Sequence, residues 1–218
     1  MTTTDKPTRQ GQEHKRLAIL EAARDLFLEL GVERTSMDAI SARAGVSKRT
    51  VYDYYGDKRR LLLGVVERAG ETALGALSGL VQEHLADEAV AANASGFAGA
   101  VTGFATDLGA SLIASTDYAA AVRLIAENES LLPELENHPL DEAHSQVLAE
   151  RFAHFAAAGL LRGDDPRLAA DHFNALTTLR VLNEPLRLRG NPERVRQIMT
   201  DGTEAFVRAY ALGGPVSP

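Results

Sequence analysis

Six side chains with hydrogen-bond donors crowd into eight consecutive positions: Ser47, Lys48, Arg49, Thr50, Tyr52 and Tyr54. An ammonium, a guanidinium and four hydroxyls at this density suit a polyanion rich in acceptors, as the backbone and base edges of a nucleic acid are. The one acid among them, Asp53, either faces away from such a ligand or accepts a hydrogen bond from cytosine N4. Catalysis has no comparable cluster. Cysteine is absent, which excludes thiolate chemistry, a disulfide framework and cysteine-held zinc. The six histidines include no H-x-x-x-H pair, and no G-x-S-x-G, G-x-G-x-x-G or Walker-type loop occurs. The expectation is therefore no catalytic residue, no metal site and no cofactor.

Charge supports the same division of labour. The net charge is −7, yet residues 1–60 hold twelve Lys and Arg against nine Asp and Glu, while residues 61–218 hold eleven against twenty-one. All four lysines precede residue 59. A basic head on an acidic body places contact with a polyanion in the head. With 218 residues, 45% of them hydrophobic, the chain can bury a core as one long domain or two short ones. It has neither an apolar leader at the start nor a run of about 18 apolar residues. A soluble, cytoplasmic protein without membrane contact is expected.

The elements that position the cluster read as helices throughout. Alanine is frequent and no stretch alternates apolar and polar residues, so an all-α fold is expected. After a polar tail at 1–12, apolar residues recur at helical spacing over 14–30, and Gly31 stops that helix. Ser36 caps a second, short helix that ends at Gly45; Ser47 caps a third that ends at Gly56; Asp57 caps a fourth. The second and third helices, joined by the turn at 45–47, form a helix-turn-helix over residues 36–55. Ile40, Ala44, Val46 and Val51 are apolar where these helices must pack, and Gly45 permits the sharp turn. The third helix then suits the major groove, with its N-terminal residues at base edges. Further helices are expected at 57–86, 89–112, 117–130, 139–158, 166–185 and 192–211. Asp165-Pro166 and Asn191-Pro192 mark the last two starts.

The stretch AARDLFLELGVERTSMDAISARAGVSKRTVYDYYGDKRRLL, within residues 19–63, resembles the DNA-binding head of TetR-type transcriptional regulators. Phe27, Gly31, Thr35-Ser36, Ile40, Ala44-Gly45-Val46-Ser47, Thr50-Val51-Tyr52, Tyr55 and Lys58-x-x-Leu61 carry the resemblance. Tyr55 stands where phenylalanine is commoner, and Gly56-Asp57 replaces the usual small polar pair. The segments RLIAENESLLPEL and LLRGDDPRLAADHF are similar to the regulator subgroup with an AefR-like C-terminal domain. The resemblance implies a homodimer of about nine helices per chain. It divides the chain into a helix-turn-helix head at 13–60 and a ligand-binding and dimerisation bundle at 61–212. Together with side-chain chemistry it assigns Lys48, Arg49 and Thr50 to base edges, and Tyr52 and Tyr54 to sugar, thymine methyl or phosphate. Ser36, Ser47, Tyr55 and Lys58 go to phosphate, with Tyr55 open to a purely core role.

The implied activity is that of a repressor released from a pseudo-palindromic operator by a small, largely apolar effector. The alternative is a helical small-molecule binding or scaffolding protein without operator activity. Bulky apolar residues interleaved with polar ones suggest a ligand pocket at Phe104, Leu108, Asn128, Phe155, Asn174 and Thr177. The last two helices should make the dimer, with Val195, Ile198, Met199, Gly202 and Phe206 as the stripe that pairs with a second subunit; the alternative is that this stripe faces only its own core. The helix from Asp57 to about 85 belongs to both parts. It contains Gly64, Gly70, Gly75 and Gly79, which either ease packing or make bending cheaper.

Overall fold

The structure, a computed structural model, describes residues 9–92, 95–135 and 139–212. Every named element among them is helical, from α1 (Arg9–Leu30) to α12 (Pro192–Tyr210). Contacts divide the chain into two compact units, Met1–Gly70 with Asp117–Glu136, and Glu71–Thr116 with Asn137–Pro218. The chain passes from one to the other inside α4 (Lys58–Leu85).

In the first unit, helix ends follow from single residues. α1 starts at Arg9, so the expected polar tail is already helical from there; residues 1–8 lie outside the described residues. Gly31 closes α1 with φ 82°. Thr35, almost fully buried, donates its hydroxyl to the carbonyls of Leu26 (3.1 Å) and Gly31 (2.8 Å), which ties the loop after α1 back onto the helix's last turns. The oxygens of Ser36 and Ser47 then accept from the amides of Ala39 and Thr50, starting α2 (Met37–Arg43) and α3 (Lys48–Tyr55). Gly45 and Gly56 supply the positive φ at their ends. Ile19, Phe27, Ile40, Val51, Leu61 and Leu62 form the core of this bundle. α7 (Thr116–Glu127) adds Leu124. The expected helix at 117–130 ends three residues early, in 3₁₀ turns at Glu129–Leu131 and Pro133–Leu135. These tuck Leu132 into the same core. Glu134 pairs with Arg59 at the start of α4.

The second unit holds α5 (Asp87–Ala92), α6 (Gly96–Ala114), α8 (Pro139–Ala157), α9 (Pro166–Leu176), α10 (Thr178–Leu182), α11 (Leu186–Arg189) and α12. Its core is aromatic: Phe152 stacks on Phe206 at 5.2 Å, and Phe173 meets Phe206 edge-on at 5.3 Å. The expected helix at 89–112 is two helices, because Gly96 opens α6 with φ 59°. That at 166–185 breaks at Thr177 for a reason that lies on another element. A Cβ on Gly202 of α12 would stand 2.0 Å from the Leu176 carbonyl oxygen, so α12 crosses against bare backbone there. Thr177 meanwhile turns its hydroxyl back to the Phe173 carbonyl at 2.6 Å. α6 carries one charge, Asp107, and by length and composition alone could cross a membrane. Phe97, Val101 and Phe104 instead place one of its faces in the core.

Candidate nucleic-acid interface

The helix-turn-helix is braced from behind and left open in front. Arg43 of α2 grips Glu29 of α1 through two hydrogen bonds of 2.7 and 3.0 Å, and this bond holds the Glu29 carboxyl below its usual range. Val51 turns the inner face of α3 into the core. The outer face presents Ser47, Lys48, Arg49 and Tyr52, all exposed, with Thr50 half-buried beside them. Arg49 is the freest, with 89% of its side chain exposed and Asp53 3.7 Å away. Lys48 Nζ lies 2.7 Å from Asp38 Oδ1, and that bond raises the lysine's pKa. Ser36 and Ser47 use their oxygens as helix caps, and Ser47 also shares a 2.7 Å hydrogen bond with the Thr50 hydroxyl.

Three more of the expected contact residues are also engaged by the protein itself. Lys58 donates to the carbonyls of Glu33 (2.9 Å) and Thr35 (3.0 Å), tying the start of α4 to the loop before α2. Tyr54 donates to the Gln12 carbonyl at 3.1 Å, fixing α3 to α1. Tyr55 lies over Gly64, where a Cβ would come within 2.9 Å of its ring. Burial pushes the Tyr55 phenol up to about 12, against the pull of the nearby Arg16 guanidinium. These contacts hold all three side chains against the rest of the head. A phosphate would have to share Lys58 with two carbonyls.

The expected ligand set is not brought together. Phe104 and Phe155 are core residues, in ring contact with Phe173 (5.8 Å) and Phe97 (5.1 Å) respectively. Thr177 is fully buried on its own backbone, Leu108 packs on the core and Asn174 is half-buried. Asn128 lies in the other unit, where its amide donates to the Leu124 carbonyl at 2.9 Å. Two grooves among the described residues of the second unit lie elsewhere. A groove of about 330 Å³ is lined by Ser78, Val81, Val147, Glu150, Arg151 and His154. A neighbouring one of about 230 Å³ shares Val81 and Arg151 with it and adds Asp87 and Glu88. Arg151 pairs with Asp87 and covers the Phe155 ring at 4.3 Å, while His154 reaches Asp87 at 2.9 Å.

The expected dimer stripe needs correction. Val195, Ile198, Met199, Gly202 and Phe206 are all buried within the protomer, so that stripe faces its own core. Close packing explains it: a Cβ on Gly109 of α6 would meet Met199 at 2.6 Å. Exposed leucines lie instead on α9, at Leu168, and on α10, at Leu179, with Leu212 just beyond α12.

Residues 19–65 match the family of bacterial regulatory proteins of the tetR type. Residues 102–212, just over half of the chain, match the C-terminal domain of AefR-like transcriptional repressors. The chain belongs to the TetR family. A protein of that family from Mesorhizobium loti has the same fold at a TM-score of 0.77 and 25% identity, with 94% of this chain and 100% of that one covered. The flavonoid-responsive regulator FrrA is similar at 30% identity and a TM-score of 0.64, over 93% of this chain and 100% of its own. The HTH-type transcriptional repressor Rv3405c of Mycobacterium tuberculosis is 40% identical over 60 residues, 28% of this chain and 32% of its own. The activator FasR of Mycolicibacterium smegmatis is 37% identical over 57 residues, 26% of each. The chain thus matches about a quarter to a third of the length of these curated relatives. Family membership agrees with the reading of a non-enzymatic regulator and with the all-α expectation.

Several groups at this TetR-type head escape sequence reasoning. Asp38 reads as a favourable first-turn acid of α2, with no sign that it holds Lys48 ten residues on. The Glu29–Arg43 and Arg59–Glu134 pairs are likewise non-local, so no helix-spacing rule finds them. Gly64 reads as a helix weakener, whereas its missing side chain is what seats Tyr55.

Proposed function

We propose that this TetR-family chain is an operator-binding repressor that acts as a homodimer on duplex DNA in the cytoplasm and is released by a small, largely apolar effector. The observation that carries the reading is the capped, outward-facing first turn of α3, with Ser47, Lys48 and Arg49 exposed on a helix whose other face is locked into the head. Such a helix enters the major groove with its N-terminal residues at base edges. Phosphate contacts by the same head fix register and make affinity fall steeply with salt. A second subunit would supply the second half-site of a pseudo-palindrome. Its docking face would lie on the exposed side of α9 and α10, at Leu168 and Leu179.

The likeness to a flavonoid-responsive regulator at 30% identity supports a planar, mostly apolar effector, as does an aromatic core roofed by Arg151 over Phe155. Release requires that the effector favour the arrangement that does not fit the operator, since equal affinity for both would shift nothing. α4 is the element to carry that change. A gel-shift titration against the DNA flanking the coding region tests the reading. Retardation lost in high salt is expected, and transcripts of the bound genes should rise when the protein is removed. A chain that bound planar aromatics but no duplex would instead be a helical binding or scaffolding protein. A fall in those transcripts would make it an activator.

A further inference from the structure

The two cations in the first turn of α3 stand in unequal circumstances. Arg49 lies 3.7 Å from Asp53, beyond hydrogen-bond reach, and is almost wholly exposed. Lys48 is held across the turn by Asp38 of α2 at 2.7 Å, and its ammonium also sits 6.0 Å from the centre of the Tyr52 ring. The Asp38 carboxylate is not the cap of α2, because Ser36 already takes the Ala39 amide. Both partners remain more than half exposed, at 56% for Lys48 and 65% for Asp38, so the pair is open to a ligand that approaches the first turn of α3.

We propose that Asp38 is a specificity-determining residue, which aims the Lys48 ammonium at a guanine edge and withholds it from indiscriminate phosphate contact. The inference rests on the DNA-binding reading above. An ammonium has three N–H donors. With one given to Asp38, two remain, and guanine is the base that shows two adjacent acceptors, N7 and O6, in the major groove. The carboxylate also offsets the lysine's charge and repels phosphate oxygens. Non-operator binding, which is nearly all phosphate attraction, is thereby weakened. Lys48 and Asp38 together are the reading group, and Arg49, more loosely paired with Asp53, is the partner beside them.

The test measures affinity of the full chain for a labelled random-sequence duplex and for a duplex enriched by the wild-type protein from a random library. Asp38→Asn should bind the random duplex about fivefold more tightly near 0.15 M salt, with a log–log salt slope steeper by about 0.9 for each lysine freed. Its preference for the enriched duplex should fall by a similar factor, and re-selection should lose one guanine per half-site. Asp38→Ser, which keeps a residue suited to a helix start, should behave alike. In a Lys48→Met background, Asp38→Asn should leave the sequence preference unchanged and tighten random-duplex binding by much less, since only the carboxylate's own repulsion of phosphate is then removed. An unchanged preference with the same guanine selected would overturn the proposal. So would an equal effect of Asp38→Asn with and without Lys48. A wild-type protein that enriched no duplex would overturn the DNA-binding reading itself and this inference with it.

Discussion

Gly75 and Gly79 of α4 are where the proposed switch can be tested by a single methyl group. Both are exposed, and a Cβ built on either meets nothing within 4 Å. A glycine in an exposed helix interior costs about 1 kcal/mol relative to alanine, and no packing at these two positions offsets it. Gly64 of the same helix is the internal control, since its Cβ would press to 2.9 Å from Tyr55 and 3.4 Å from Leu20. Gly75→Ala and Gly79→Ala should each stabilise the chain by about 0.8–1 kcal/mol. For a chain of this size that raises Tm by about 2–4 °C per substitution, read by far-UV circular dichroism. Gly64→Ala should lower it. If effector binding works by bending α4, the double Gly75→Ala/Gly79→Ala variant opposes the bend by up to about 2 kcal/mol. It should then need up to about 30-fold more of a releasing planar aromatic ligand to leave the operator. Variants no more stable than wild type would refute the helix argument. A stabilised double variant released at the wild-type ligand concentration would refute the bending of α4.

Replacing Phe206 with Asp should unfold the second unit rather than yield folded monomers, because its ring is fully buried against Phe152 and Phe173; loss of the cooperative melt would show it. Leu179→Glu, on the exposed side of α10, should instead keep the helical signal and give monomers by light scattering. The Tyr55 phenol is raised to about 12 from an ordinary value near 10, so the stability it contributes is fully present below about pH 10 and is lost as pH rises through about 12. Urea midpoints measured between those limits should therefore fall less steeply for Tyr55→Phe than for wild type.

The head was largely legible because its signals are local. Ser36, Ser47, Gly31, Gly45 and Gly56 each start or stop a helix through their own backbone or a residue three positions away, and the structure has each element where they put it. Asp165 and Asn191, each before a proline, set the starts of α9 and α12 in the same way. What the sequence left open depends on distant partners. The break at Thr177 follows from α12 crossing bare backbone at Gly202, about 25 residues later. A periodic stripe such as Val195 to Phe206 shows that one face of a helix is buried but not what buries it, and here it is the protomer's own α6 and aromatic core. Lys58 reads as a phosphate contact because nothing local reveals that two carbonyls more than 20 residues earlier fold under it. Likewise nothing within 129–135 marks the two 3₁₀ turns there, which end the expected helix early and bring Leu132 into the core of the head.

The central claim is that the first turn of α3 meets the base edges of an operator. It is tested most directly by comparing wild type and Arg49→Ala on the operator and on single base-pair variants of it, at one fixed salt concentration. Arg49→Ala should lose about 1–3 kcal/mol on the operator and stop discriminating at one base pair in each half-site, while its affinity for the other variants keeps the wild-type order. Wild-type affinity and wild-type discrimination at every position in Arg49→Ala would contradict the account.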